Sequence, residues 1–342
     1  MLYICYFVKN YPMPIKTKIC IAGAGAIGTA LGQVLAEKES LDVNLLSIEP
    51  DVVEEINQKH INSAYFPQIR LNQHLKATLD TSILAGAEII FLAIPSVAVV
   101  PYVQAVSHIL HLDAVLVNLA KGFGNNNETI VDNLRKVTSN HVCTLKGPTF
   151  AREMINHMPT AMTLGTDNPA MVEHCQRMVE STTIHIDSTT DITGVEILSI
   201  LKNIYAIIIG IVDAHFDSPN LRFLIFTRAF NEMRQVLLRF GGKQETMFRY
   251  CGIGDFGLTS LNDLSRNRTL GLLIGKGFFS DDISGNVVLE GKLAAGIIGD
   301  RLSVMNVPDE EYFMLRQLNK VFRGGYNIKK FIEVLVKGNE SV

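Results

Sequence analysis

The sequence contains no Cys-x-x-Cys pair, no His-x-x-x-His and no carboxylate-linked histidine spacing, so the common zinc and other metal-ligating frameworks are excluded. No Gly-x-Ser-x-Gly elbow occurs, which leaves a serine hydrolase without support. There is no basic stripe of the kind a nucleic-acid partner needs, and net charge is only −3 with both signs dispersed. Polar tracts are absent and charge density is low, which argues against long disorder. No run reaches the ~18 continuous apolar residues needed for a membrane span. The five cysteines (Cys5, Cys20, Cys143, Cys175, Cys251) are scattered and odd in number. That usage fits a reduced cytoplasmic chain without a disulfide framework.

What is present is a chain of 342 residues, 47% hydrophobic, long enough for a sizeable core and for two domains. Its first residues, Met1 to Pro12, resemble a short signal sequence but lack a basic start and a small-residue cleavage site. Residues 1–16 therefore read as an extension, with Met13 an alternative start.

The rest is organised around Lys18-Ile-Cys-Ile-Ala-Gly23-Ala-Gly25-Ala26-Ile27-Gly28, where a β-branched run ends in Gly-x-Gly-x-x-Gly and passes into a helix-forming stretch. In such a turn the first glycine permits the tight bend and the second admits a pyrophosphate, while the third lets helix pack on strand. The diphosphate would rest on free amides at the positive end of the helix dipole. A second apolar run, Val43–Ile48, ends in Glu49, which lies 21 positions after Gly28. A ribose-binding carboxylate belongs at that place. The glycine pattern alone would be weak, but this flanking context makes it a dinucleotide site.

Strand and helix patterns alternate from residue 17 to about 190, which predicts a doubly wound parallel sheet. Further strands are expected at Glu88–Ile94, Ala114–Leu119, His141–Leu145, Ala161–Gly165 and Thr183–Asp187. Three of them run into Pro95-Ser96, Lys121-Gly122 and Gly147-Pro148-Thr149. Open α/β sheets bind ligands outside such carboxyl ends. From Gly194 the pattern changes. Val195–Val212 is apolar nearly all round and reads as a buried central helix. Amphipathic stretches at 221–240, 265–276, 290–304 and 309–323 make the second half mostly helical.

Lys202 and Asn203 interrupt that apolar helix. A desolvated lysine has a lowered pKa suited to proton transfer, whereas one that packs its stem and snorkels its head has no such role. Ser265-Arg266-Asn267-Arg268 offers phosphate-binding donors, although the residues alone favour, by a little, a serine helix cap followed by solvated arginines. Lys121, following a buried strand, faces the presumed crevice.

These motifs together resemble the soluble, bacterial NAD(P)-dependent glycerol-3-phosphate dehydrogenases over residues 17–320. The resemblance rests on Gly23–Leu31, Lys121-Gly122, Gly147–Ala151 with Pro159-Thr-Ala161, and Leu201-Lys202-Asn203. It continues through Thr227-Arg228 with Glu232-Met233, Gly254-Asp255, Ser265–Arg268 and Glu290-Gly291. It implies an α/β Rossmann-type domain (17–193) followed by an all-α C-terminal domain (194–342) like that of 6-phosphogluconate dehydrogenase. The implied reaction is reversible reduction of dihydroxyacetone phosphate to sn-glycerol 3-phosphate for phospholipid synthesis, by a cytoplasmic homodimer that needs no metal. By the same resemblance Lys202 is the general acid, with Lys121 and Asp255 beside it. Gly147, Thr149, Asn203, Thr259, Ser265, Arg266 and Asn267 complete the substrate site. Gly23, Gly25, Ala26, Ile27, Gly28, Glu49, Lys121, Ala151, Arg266, Val288 and Glu290 line the cofactor.

Two departures from the family pattern matter. Where many members carry an arginine that can meet a 2′-phosphate, this sequence has Ile48 before Glu49, which predicts NAD in preference to NADP. The family's glycine-rich loop is here Asp213-Ala-His-Phe-Asp-Ser-Pro-Asn220, and its small residues before Thr227 are Phe223-Leu-Ile-Phe226. That bulk leaves two other readings open. One is a related dehydrogenase acting on another small hydroxy or keto acid, and the other is a non-catalytic NAD-binding paralogue.

Overall fold

A computed structural model describes residues 16–278, 286–324 and 326–338, with the side chains of residues 286–290 outside the described set. The extension expected over residues 1–16 therefore falls almost wholly outside it. In chain order the first half runs β1 (Thr17–Ala22), α1 (Ala26–Leu35), β2 (Leu41–Leu46), α2 (Pro50–Lys59), β3 (Lys76–Thr78) and β4 (Ile89–Leu92). It continues with α3 (Ser96–Val106), β5 (Val115–Asn118), α4 (Ile130–Val137), β6 (His141–Lys146), α5 (Ala151–Met154), β7 (Thr160–Gly165), α6 (Pro169–Val179) and β8 (Ile184–Thr189). The strands form one sheet of order β3-β2-β1-β4-β5-β6-β7-β8. Strand order reverses between β1 and β4, which is where open sheets of this class open a ligand crevice.

Every strand pair is parallel except β6–β7. The doubly wound parallel sheet expected from the sequence is interrupted at that one pair for a topological reason. A parallel neighbour requires a crossover, usually through a full helix. Between β6 and β7 the only helix is the single turn α5, so the chain folds back over the carboxyl edge instead. The strand expected to reach Ile48 stops at Leu46, after which Ser47 N–H closes the ladder on Thr78 O at 3.0 Å. Pro50 then starts α2 and leaves Ile48 95% exposed.

The second half comprises α7 (Ile192–Asp213), α8 (Pro219–Arg239), α9 (Asp255–Leu261), α10 (Arg266–Gly275), α11 (Asn286–Val304), α12 (Phe313–Phe322) and α13 (Ile328–Lys337). Asp191 caps α7 by accepting from Gly194 N–H at 2.9 Å. By length and composition α7 could cross a membrane, yet 94% of its apolar window lies inside the protein. It is the core helix that its all-round apolar pattern predicted: Val195, Leu198, Leu201, Tyr205, Ile208 and Val212 are all buried in one cluster. Among the described residues Cys20, Cys143, Cys175 and Cys251 are free and buried.

The single amphipathic stretch expected at 309–323 is divided into a 3₁₀ turn (Asp309–Tyr312) and α12. The cause is Glu232 on α8, whose carboxylate accepts from Met314 N–H at 2.7 Å and Leu315 N–H at 2.8 Å. An unsatisfied helix start is thereby capped from another helix. Tyr205 O–H donates to the same carboxylate at 2.8 Å. Burial pushes the Glu232 carboxyl up from 4.5 to about 7, against these hydrogen bonds. A raised folded-state pKa means the folded protein holds the proton longer than the unfolded chain does. Stability from this group is therefore complete below pH 4.5 and lost as pH rises through about 7. Urea unfolding at several pH values should show a decline on the order of 3 kcal/mol across that window. Glu232→Gln should flatten the decline; an unchanged slope in the variant would refute the assignment.

Candidate active site

The carboxyl edges of β1 and β4 shape the first part of the site. Gly23 adopts φ +115°, and a Cβ there would stand 2.5 Å from Ala93 O just after β4. A Cβ on Gly28 would lie 2.0 Å from Gly23 O, so α1 can pack here only without one. Gly25 differs: a Cβ would meet only Tyr65, no closer than 3.8 Å, so its glycine keeps a surface open rather than a contact close. Gly25 is the N-cap of α1 and offers no side-chain cap. The first amides of α1, at Ala26 and Ile27, are thus free for a ligand oxygen. Thr29 Oγ1 donates to Ala24 O at 3.1 Å, and Asn62 Nδ2 donates to the same carbonyl at 2.9 Å, which holds the loop in shape. Glu49 is exposed at the start of α2, at the end of the strand beside β1. These residues fit a dinucleotide diphosphate and ribose. Ala151 begins α5, which packs on the α1 side of the sheet.

The second part lies where the helical half meets the ends of β5 and β6. Lys202 is 5% exposed, so its head does not snorkel to water. Its Nζ donates to Asp255 Oδ1 at 2.6 Å and to Thr259 Oγ1 at 2.9 Å. The other oxygen of Asp255 accepts from Lys121 Nζ at 2.8 Å, and Lys121 also donates to Gly147 O at 3.1 Å. One buried carboxylate therefore bridges two lysines that approach from different domains. Burial pushes the Lys202 pKa down, to about 7, and the neighbouring Lys121 ammonium acts in the same direction while Asp255 opposes it. A buried amine in this state can hold or release a proton near neutral pH.

Local backbone explains how Asp255 reaches this place. A π-type turn spans Tyr250–Gly254 immediately before it, with Gly252 off helical geometry at ψ −106°. A Cβ on Gly252 would stand 2.2 Å from Met247 O. Cys251 N–H donates to Thr163 Oγ1 on β7 at 3.1 Å and ties the turn to the sheet. Such turns cluster at functional sites because they re-aim the residue that follows. Asp255 then opens α9, where the helix dipole favours a carboxylate.

The polar cluster at residues 265–268 divides by role. Ser265 Oγ accepts from Arg268 N–H at 3.3 Å and caps α10, as the plainer of the two readings expected. Arg268 is buried, paired with Asp213 and with Asp263 Oδ1 at 3.1 Å, and so braces the end of α7. Arg266 is exposed and Asn267 half-buried on the first turn of α10, and the side chains of both are without a hydrogen-bond partner among the described residues. Asn267 Oδ1 lies 3.7 Å from the Cβ position of Gly291 on α11. The side chains of Val288 and Glu290 lie outside the described residues. Thr149 Oγ1 donates to Gly147 O at 3.2 Å. Asn203 turns back along its own helix to Ser199 O at 3.3 Å and does not join the lysines.

The bulky segment before Thr227 does not enter this cluster. Phe226 stacks on Phe256 at 4.5 Å, and Phe230 stands 6.3 Å from the same ring. Of the substituted residues, Phe226 thus packs against the residue next to Asp255, while Phe223 and Leu224 stay exposed. In the altered loop, Arg222 Nε donates to Asp213 Oδ2 at 2.8 Å.

The sequence reading missed a second buried lysine. Lys146, the last residue of β6, stands 3.2 Å from Glu196 Oε1 on α7, and neither side chain is more than 1% exposed. The only sequence signal was a lysine ending a mostly apolar strand that also carries His141 and Thr144, and a charged strand end is ordinarily solvated.

Comparison with known proteins agrees with this architecture. A family model described as NAD-dependent glycerol-3-phosphate dehydrogenase N-terminus matches residues 18–172, and its C-terminus counterpart matches residues 191–333. A glycerol-3-phosphate dehydrogenase [NAD(P)+] of Methanothermobacter thermautotrophicus is 37% identical over 261 residues, covering 75% of this chain and 80% of that protein. The crystal structure of glycerol-3-phosphate dehydrogenase from Coxiella burnetii superposes with a TM-score of 0.84 at 27% identity, covering 94% of this chain and 98% of that one. A ketopantoate reductase from Ralstonia eutropha reaches a TM-score of 0.56 at 15% identity over 92% of this chain and 99% of its own, which is a likeness of fold alone. With both halves matched in order, the chain belongs to the NAD-dependent glycerol-3-phosphate dehydrogenase family.

Proposed function

We propose that this chain reduces dihydroxyacetone phosphate to sn-glycerol 3-phosphate, reversibly, as a source of the glycerophospholipid backbone. Family membership makes it an NAD(P)-dependent oxidoreductase. The observation that carries the choice of chemistry is the buried bridge Lys202–Asp255–Lys121 at the sheet's carboxyl edge. In this reading residues 17–193 hold the cofactor, residues 194–342 supply the substrate pocket, and the nicotinamide supplies the hydride that arrives at C2.

Lys202 donates its Nζ proton to the carbonyl oxygen as that oxygen gains charge, so an alcohol forms rather than a free alkoxide. Asp255 keeps Lys202 aimed, and Lys121 adds positive charge where negative charge develops. Arg266 and Asn267 hold the substrate phosphate at the start of α10, where free amides and the helix dipole also favour an anion. Gly147, Thr149 and Thr259 complete the substrate wall, with Asn203 joining only by a turn of its side chain away from Ser199 O and Ser265 acting through its cap on α10. Against the non-catalytic alternative stand the intact Lys121, Lys202 and Asp255 set and the stacking of Phe226 on Phe256 rather than among the lysines.

Glu49 would accept from the ribose diol and repel a 2′-phosphate, which supports NAD over NADP. Ile48→Arg would place a cation at a position now 95% exposed. It should raise kcat/KM with NADPH by about tenfold while leaving the NADH value nearly unchanged. Equal use of both cofactors by the unaltered chain would refute the preference. Four buried free thiols support a reducing, cytoplasmic setting. Exposed Phe223, Leu224 and Phe248 on and beside α8 support a homodimer, which sedimentation velocity would test.

The assay for the proposed activity compares NADH oxidation with dihydroxyacetone phosphate and with dihydroxyacetone. Phosphate recognition predicts about 10³-fold or more between their kcat/KM values. Comparable values would remove Arg266 and Asn267 from the site.

A further inference from the structure

Beneath the catalytic lysines lies a second lysine–carboxylate cluster. Glu196, on the second turn of α7, is 1% exposed and gathers partners from two strands. Lys146 Nζ stands 3.2 Å from its Oε1, Thr144 Oγ1 donates to the same oxygen, and Asn118 Nδ2 donates at 3.0 and 3.2 Å to its two oxygens. Lys146 Nζ also donates to Asn118 O at 2.8 Å, and Asn118 Oδ1 accepts from Ala120 N–H at 3.0 Å. Each anchor lies on a segment that carries a group of the active site. Lys146 precedes Gly147, Ala120 precedes Lys121, and Glu196 lies on the helix that carries Lys202.

We propose that Lys146 and Glu196 are positioning residues: their buried ion pair registers α7 against the ends of β5 and β6, and so sets the spacing at which Lys121 and Lys202 share Asp255. This rests on the dehydrogenase reading for its kinetic consequence. A buried ion pair contributes little stability relative to apolar side chains of equal volume, because desolvation offsets the attraction. What it supplies is direction. Four hydrogen-bonding contacts on one carboxylate fix the rotation and axial position of α7 in a way that close-packed methylenes would not. Lys146 retains its charge below about pH 8, where burial has pushed its pKa, so the pair is complete in the neutral range.

The test uses the full-length chain with Lys146→Met and with the double variant Lys146→Met/Glu196→Met, which leaves no unpaired charge. Three quantities are read: Tm, kcat and KM for dihydroxyacetone phosphate, and the Lys202 titration by NMR of ζ-labelled lysine. The single variant should lose Tm. The double variant should recover part of that Tm, the rest being lost because the buried Asn118 and Thr144 donors no longer have Glu196 as acceptor, yet keep kcat about 10- to 100-fold low, as expected for misplaced catalytic groups. Its Lys202 should titrate at higher pH, because the ammonium is held less tightly out of water. A double variant with normal kcat and an unmoved Lys202 titration would overturn the proposal and leave the pair a packing device. If the unaltered chain does not reduce dihydroxyacetone phosphate, the dehydrogenase reading fails, while the Lys202 titration still decides the positioning claim.

Discussion

Lys202→Met should lower kcat for reduction of dihydroxyacetone phosphate by about 10³- to 10⁴-fold, with the NADH dissociation constant within a factor of about three. Methionine preserves the unbranched stem and the burial of α7, so the core around Leu201 and Tyr205 stays filled. What it removes is the ammonium that Asp255 and Thr259 hold at 2.6 and 2.9 Å. Hydride arrival at C2 would then leave an alkoxide without its buried proton donor. Residual rate would come from positioning and from the Lys121 charge. The glycine turn of the cofactor site is built by β1, β4 and α1, so NADH fluorescence titration should be nearly unaffected. A fall in NADH affinity parallel to the fall in kcat would show that the variant is disrupted as a whole.

Asp255→Asn should be nearly as damaging, with kcat about 10²- to 10³-fold lower and Tm clearly reduced. Asparagine keeps the shape but removes the negative charge between two ammonium groups, 2.6 Å from one and 2.8 Å from the other. Removing one member of a buried charged set typically costs ~3–5 kcal/mol, since the survivors remain desolvated and unpaired. The direction of the pH effect separates this variant from a general loss of structure. Asp255 opposes the downward push on the Lys202 pKa, so its loss moves that pKa lower still. Lys202 would then be protonated only at more acidic pH, and activity should partly recover as pH is lowered. A uniform loss at every pH would contradict the bridging role.

How far the sequence anticipated these features depended on whether a residue broke a local pattern. Gly23, Gly25 and Gly28 sit where strand periodicity gives way to helix, so the cofactor turn was legible. Lys202 was conspicuous because α7 is otherwise apolar, although its burial could be decided only by packing. The Lys146–Glu196 pair was not legible, because a single charge at a strand end and another near a helix start each match ordinary exposed positions. Their pairing depends on tertiary contact between β6 and α7. The antiparallel β7 escaped notice because a short apolar run carries no direction. Helix α12 begins late because Glu232, about 80 residues away in sequence, caps it. Arg266 and Arg268 look alike in the sequence, yet the second is buried and paired with Asp213 and Asp263 while the first stays exposed.

The central claim is that a buried, proton-donating Lys202 drives the reduction, and the pH dependence of kcat in the reducing direction tests it most directly. With NADH and dihydroxyacetone phosphate saturating, kcat of the unaltered chain should fall tenfold per unit at alkaline pH, as Lys202 loses its proton. In Lys202→Met that alkaline limb should be absent, leaving a low, flat residual rate. The same limb at the same pH in the variant would contradict the assignment of Lys202 as the acid.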